Sequence, residues 1–229
     1  MLKTLTFIVL YFVVLIAASS AQEKLPDTKQ TEPKTLKKAN QRSDTKSSKT
    51  ALSEPFEKAT VEAMEQQCVK FDTEAGVIEM EMFPESAPES VRSFLNLAAI
   101  GAFDTTTFSR VVPGFIVQGG DIFTRQKMTP GLDKRARRAL RDEPSLIKHE
   151  RSILSMARSG EPNSATTNFF ILVGAASHLD GTFAAFGRVT KGMEVVDAIN
   201  KMPVEGDKPK KPVYITRATV ALCPAQTNP

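Results

Sequence analysis

Residues Phe108 to Asp121 read FSRVVPGFIVQGGD, and this stretch limits the possible folds more than any other. Two short apolar runs flank Pro113-Gly114, a dipeptide that marks a turn, and Gly119-Gly120 closes the second run. Runs of this length on either side of a turn predict a pair of strands. The polar interruptions are Ser109, Arg110 and Gln118. An arginine between Phe108 and Val111-Val112 is costly to bury unless its N–H donors meet acceptors. Taken alone, it reads equally well as a surface arginine on a strand edge.

The same short-strand pattern recurs along the chain. Cys68 to Thr73 and Val77 to Phe83 read as a hairpin across Glu74-Ala75-Gly76, with Ile78, Met80 and Met82 alternating against Glu79 and Glu81. Ile153 to Ala157, Phe169 to Val173, Phe183 to Val189 and Val213 to Leu222 are further strands. Two helices interrupt them. One starts at Pro88 and carries the stripe Val91, Phe94, Leu95, Ala98, with Gly101 suited to its C-terminal cap. The other follows Gly192 through Met193, Val196, Ile199 and Asn200 and stops before Pro203. Many strands with two helices imply an all-β design, most simply a closed barrel with helices over its open ends. Residues 121–150 are the least readable part and suggest a long excursion. Its basic cluster, Lys134, Arg135, Arg137, Arg138 and Arg141, reads as a solvated loop or short helix.

The termini differ in composition from this core. In residues 1–21, Lys3 precedes an apolar run from Leu5 to Ala18, and Ser19-Ser20-Ala21 follows. That is the make-up of a signal peptide cleaved after Ala21, with an uncleaved anchor as the alternative. Residues 22–60 hold nine Lys/Arg against six Asp/Glu and few aliphatics. Such a segment buries too little apolar surface to offset its ordering entropy, so a disordered basic linker is expected, with a short helical lead-in over Phe56 to Gln67. Residues 61–229 form the folded domain, with 20 Lys/Arg and 20 Asp/Glu. That balance argues against a nucleic-acid-binding face. No stretch after the leader could span a membrane, and no metal-ligand spacing appears, so no cofactor or metal is expected.

Three stretches together resemble the cyclophilin family of peptidyl-prolyl cis–trans isomerases: Phe108 to Asp121, Ile153 to Phe170 (ILSMARSGEPNSATTNFF) and His178 to Gly187 (HLDGTFAAFG). They occur in the family's order, and the match extends over roughly residues 65–223. The resemblance implies an eight-stranded antiparallel closed β-barrel capped by two helices. It also implies isomerisation of X–Pro bonds in peptides and unfolded exported proteins, assisting their folding. Arg110 matches the family's catalytic arginine. Phe115, Ile116, Phe170 and Leu179 match the apolar proline pocket, Phe183 falls where many members carry histidine and would keep that pocket apolar, and Gln118 matches a contact to the substrate backbone. Ala157, Arg158 and Ser159 match the segment that pairs with the substrate like an extra strand.

Three positions depart from the family's pattern. Asn168 stands where glutamine is usual, Arg158 where asparagine is common, and His178 where cyclosporin-sensitive members carry tryptophan. Loss of the indole implies weak cyclosporin binding. A non-catalytic module that holds proline-containing segments on the same fold is the alternative reading. The expected partners are proline-containing segments, the expected state a monomer, and the expected site a periplasm, a secretory lumen or the outside of the cell. In the family's barrel the first and last strands are antiparallel neighbours. That brings Cys68 near Cys223 and makes a disulfide the expectation in an oxidising compartment, with two separate buried thiols as the alternative.

Overall fold

The structure, a computed structural model, describes residues 52–224. The expected signal peptide and residues 22–51 of the expected linker lie outside them. A short helix α1 (Val61–Glu65) leads into the hairpin β1 (Gln67–Thr73) and β2 (Gly76–Met82), followed by α2 (Pro88–Ala99). Next come β3 (Thr106–Thr107), β4 (Arg110–Val112), β5 (Ile116–Gly119) and a helix α3 (Pro130–Ala136). Then β6 (Ile153–Met156), β7 (Phe169–Leu172) and β8 (Ala185–Lys191) precede α4 (Met193–Asn200). A small hairpin, β9 (Val204–Glu205) and β10 (Lys208–Pro209), comes before the last strand β11 (Tyr214–Leu222).

Nine of these strands form one antiparallel sheet in the order β3-β11-β1-β2-β8-β6-β7-β5-β4. Its two outermost segments, β3 and β4, are successive parts of one stretch of chain. Phe108 between them donates its N–H to Val213 O, and Ser109 donates to Gln118 O. Residues 106–112 therefore bridge the two ends of the sheet and close the ring. Counted as one bent strand, they make the eight-stranded barrel.

The interior is built on phenylalanines. Phe94 from α2 lies 5.2 Å from Phe103, 5.3 Å from Phe169 and 5.1 Å from Phe186, measured between ring centroids, and Phe71 joins the group. All five are at most 2% exposed. Burying each stabilises the fold by roughly 1.5–3 kcal/mol, so α2 is held over the barrel by its apolar stripe. Its N-terminus has no side-chain cap of its own. Glu143 supplies one, accepting hydrogen bonds from Glu89 N at 2.9 Å and Ser90 N at 2.8 Å.

Cys68 and Cys223 are joined by a disulfide, with Cα atoms 4.8 Å apart, at the seam where β1 pairs with β11. This connects the two ends of the barrel chain, 155 residues apart in sequence.

Composition misleads in two places. Residues 52–60, expected to be part of the disordered linker, are seated on the domain. Phe56 N donates to Asn96 Oδ1 at 2.7 Å, and Arg92 Nη1 donates to the carbonyls of Phe56 and Ala59 at 2.9 and 2.6 Å. The basic cluster does begin on a short helix, α3, one of its two readings, but it is not simply solvated. Arg135 is 4% exposed, and its Nε donates to Glu54 at 3.0 Å while Arg138 reaches the other oxygen of Glu54 at 2.8 Å. Burial pushes the pKa of the Arg135 guanidinium down, the nearby Arg138 charge adds to that, and Glu54 opposes it. These arginines hold the lead-in against α2 and α3.

Candidate active site

Along each strand of the wall, alternate side chains point to opposite faces. Val117, Leu154, Met156, Phe169, Ile171 and Phe186 face the interior cluster. Ile116, Ile153, Phe170, Leu172 and Ala185 face outward and form a second apolar cluster with Ala176 and Leu179. Phe115, Phe183 and Ala157 pack against it, half-buried. The structure thus brings together on one outer face every residue expected to line a proline pocket: Phe115, Ile116, Phe170, Leu179 and Phe183.

The turn at Pro113-Gly114 sets the edge of this cluster. Gly114 has φ of +73°, which favours glycine. Asn200, at the end of α4, fastens the turn: its Nδ2 donates to Val112 O and Ile116 O, both at 3.0 Å, and its Oδ1 accepts from Gly114 N at 2.8 Å. At the other end of β5, Gly120 has φ of +82°, and a Cβ there would collide with the Thr167 carbonyl.

Arg110 and Gln118 are directly paired across β4 and β5. Arg110 is exposed, paired with Gln118 beside the outer apolar cluster. Its Nε donates to Asp207 Oδ2 at 2.9 Å, and its Nη2 lies 2.8 Å from the same oxygen. Nη1 reaches Gln118 Oε1 at 3.5 Å. Asp207 sits in the turn between β9 and β10, and its carbonyl accepts from Val111 N at 2.8 Å. The hairpin is therefore bound to β4 through main chain and side chain together. One edge of the guanidinium is occupied, and Nη1 is directed along the strand pair toward Gln118.

The remaining expected residues surround this centre. Ala157 N donates to Asn168 O at 2.9 Å. His178, exposed on a single 3-10 turn, has its ring centroid 5.6 Å from that of Phe115. The Arg158 guanidinium stacks 4.7 Å over the Phe183 ring, and Ser159 is exposed beyond it.

Three residues under the pocket had no place in the expectations. The ring of His149 lies 3.2 Å from Asp180 Oδ1 through Nδ1 and 3.2 Å from Ser155 Oγ through Nε2. Ser155 and His149 are 0% and 1% exposed, so this Ser–His–Asp chain admits no substrate and serves to tie the 145–149 loop to the wall. Burial lowers the His149 pKa against the pull of Asp180. Asp207 and Asn200 also escaped the motifs. A Gly-Asp turn between two short runs is a visible signal for the first, whereas Asn200 at the end of a helical stripe carries none. Among the described residues no group of His, Cys, Asp and Glu is arranged to hold a metal ion, and no helix is long and apolar enough to cross a membrane.

Comparison with known proteins agrees with this architecture. The family model for cyclophilin-type peptidyl-prolyl cis-trans isomerases matches residues 68–220. A peptidyl-prolyl cis-trans isomerase of Arabidopsis thaliana is 37% identical over 158 residues, covering 68% of this chain and 97% of its own. Peptidyl-prolyl cis-trans isomerase A of Dickeya dadantii is 38% identical over 165 residues, covering 66% and 83%. The crystal structure of a Cryptosporidium parvum cyclophilin-type isomerase superposes with a TM-score of 0.61 at 30% identity, covering 69% of this chain and 99% of that one. The chain belongs to the cyclophilin-type peptidyl-prolyl cis-trans isomerases, and it is an enzyme of that class.

Proposed function

We propose that the protein turns over X–Pro bonds in unfolded exported chains, with Arg110 as the catalytic residue. Amide resonance sets a rotation barrier of about 18–20 kcal/mol. At the twisted transition state that resonance is lost and a lone pair develops on the prolyl nitrogen. A donor fixed beside it favours that state over both planar ground states. The observation that carries the reading is the placement of Arg110. It stands at the rim of the outer apolar cluster, with one edge held by Asp207 and Nη1 turned toward Gln118. The cluster would receive the proline ring, Gln118 the adjacent backbone, and residues 157–159 an extended segment of the substrate. Asp207 acts as a positioning residue, because it limits the orientations of the guanidinium before substrate arrives.

Exchange spectroscopy on an X–Pro peptide tests this. Arg110→Ala is expected to lower kcat/KM about a hundredfold, near 2.7 kcal/mol, with an unchanged melting temperature. Activity at the wild-type level would remove Arg110 from the role.

Export is supported by the basic, apolar and small-residue regions of residues 1–21 and by the Cys68–Cys223 disulfide. It would place the enzyme, as a monomer, in a periplasm, a secretory lumen or outside the cell. Weak cyclosporin binding belongs to the same reading, since His178 offers a smaller ring beside Phe115 than an indole.

A further inference from the structure

Arg158 has hydrogen-bonding capacity that the fold leaves unused. Its Nη1 donates to Ser159 O at 3.1 Å. Its Nε is buried with no partner, and Nη2 donates to none of the described residues. The nearest carboxylate, Asp142, has Oδ1 3.8 Å from Nε, beyond hydrogen-bond reach. Glu143, in the same hollow, is committed to Glu89 N, Ser90 N and Ser90 Oγ. Arg141 lines that hollow as well and forms no ion pair among the described residues. Nε is closed off beside Asp142, so the Nη2 edge is the one left to a carboxylate from outside.

That edge lies next to the proline pocket. The guanidinium rests 4.7 Å over the Phe183 ring, and Phe183 meets Phe170 edge-on at 6.2 Å between centroids. One ring thus separates Arg158 from the space assigned to the proline. An extended peptide covers that separation in about two residues.

We infer that Arg158 makes the enzyme select X–Pro segments carrying an aspartate or glutamate within about two residues of the proline. The inference rests on the isomerase reading above and names a substrate class for it.

The test compares the full protein on peptides that differ only by Glu, Gln or Lys at each of the two positions before and after proline. At one position the Glu peptide is expected to exceed its Gln counterpart about fivefold in kcat/KM, and the ratio should shrink as salt is raised. In Arg158→Asn the ratio should fall to about one, while Arg158→Lys should retain part of it. Equal rates for Glu and Gln at every position in the wild type would overturn the inference, as would a ratio that survives Arg158→Asn. Absence of acceleration on every peptide would overturn the isomerase reading and this inference with it.

Discussion

Phe169 and Phe170 are neighbours on β7 with different surroundings. Phe169 touches Phe71, Phe94 and Phe103 inside the barrel, whereas Phe170 faces outward toward Phe183 and the pocket. The same division runs through Val117 and Ile116 on β5 and through Phe186 and Ala185 on β8. One wall therefore carries two apolar clusters: its inner face builds the barrel core, and its outer face builds the cluster to which the substrate site is assigned above. The two clusters are separated by strand alternation alone.

The largest expected effect lies on the inner face. Phe169→Ala should cost about 3–5 kcal/mol, because the surrounding rings cannot collapse into the gap. Phe115→Ala, half-exposed on the outer face, should cost less than about 1.5 kcal/mol while raising KM roughly tenfold. Chemical denaturation and steady-state kinetics on both variants check this, and equal destabilisation would break the division.

Next in size is the seam. Reducing the Cys68–Cys223 bond should lower stability by roughly 2–4 kcal/mol, since the bond restricts the unfolded chain over a long loop. Activity measured well below the unfolding transition should stay the same. A fall in turnover without unfolding would tie the seam to the site.

Asp207→Ala should do the opposite, lowering kcat/KM about fivefold, mainly in kcat, with little change in denaturation midpoint. The Arg110 Nε–H resonance, protected by the carboxylate, should exchange faster with water in that variant. An unchanged resonance would show that Asp207 does not orient the guanidinium.

The smallest effect concerns His149, which lies between the two faces beside Ser155, Asp180, Lys148 and His178. Its folded pKa is lowered below the ordinary 6.5, mainly by burial. The unfolded chain therefore binds the proton more readily, so stability is full above about pH 6.5 and declines as pH falls below it. The Asp180 carboxyl is held below its ordinary 3.8, first by the His149 main-chain N–H and then by Lys148 and the His149 ring. Its contribution persists until pH falls under that value. Melting temperatures from pH 7 to 5 should decline in the wild type and flatten in His149→Asn.

Much of this was legible in the residues. Alternation in Ile78, Met80 and Met82, the stripe of α2 and the Pro-Gly turn are local signals, and each was read correctly as strand, helix or hairpin. The two-residue strands were not legible. Strands of two residues such as β9 and β10 show no periodicity. Helix α3 fits the short-helix alternative for the basic cluster, and its start is marked by Thr129, which accepts from Leu132 N ahead of Pro130. Residues 52–60 were misjudged because composition records apolar content and takes no account of the carbonyls that Arg92 binds.

The sequence by itself determined which residues alternate, where the chain turns, and which side chains match an isomerase. It could not decide what meets what across the barrel. Asp207 reaches Arg110 over 97 positions, Asn200 reaches Gly114 over 86, and Glu54 reaches Arg135 over 81. The first two depend on where the closed sheet carries β4, β5 and the turn between them, and the third on how the lead-in packs beside α3. Local patterning records the face on which a side chain stands. The partner it finds there is chosen by the strands and turns that the closed barrel brings alongside.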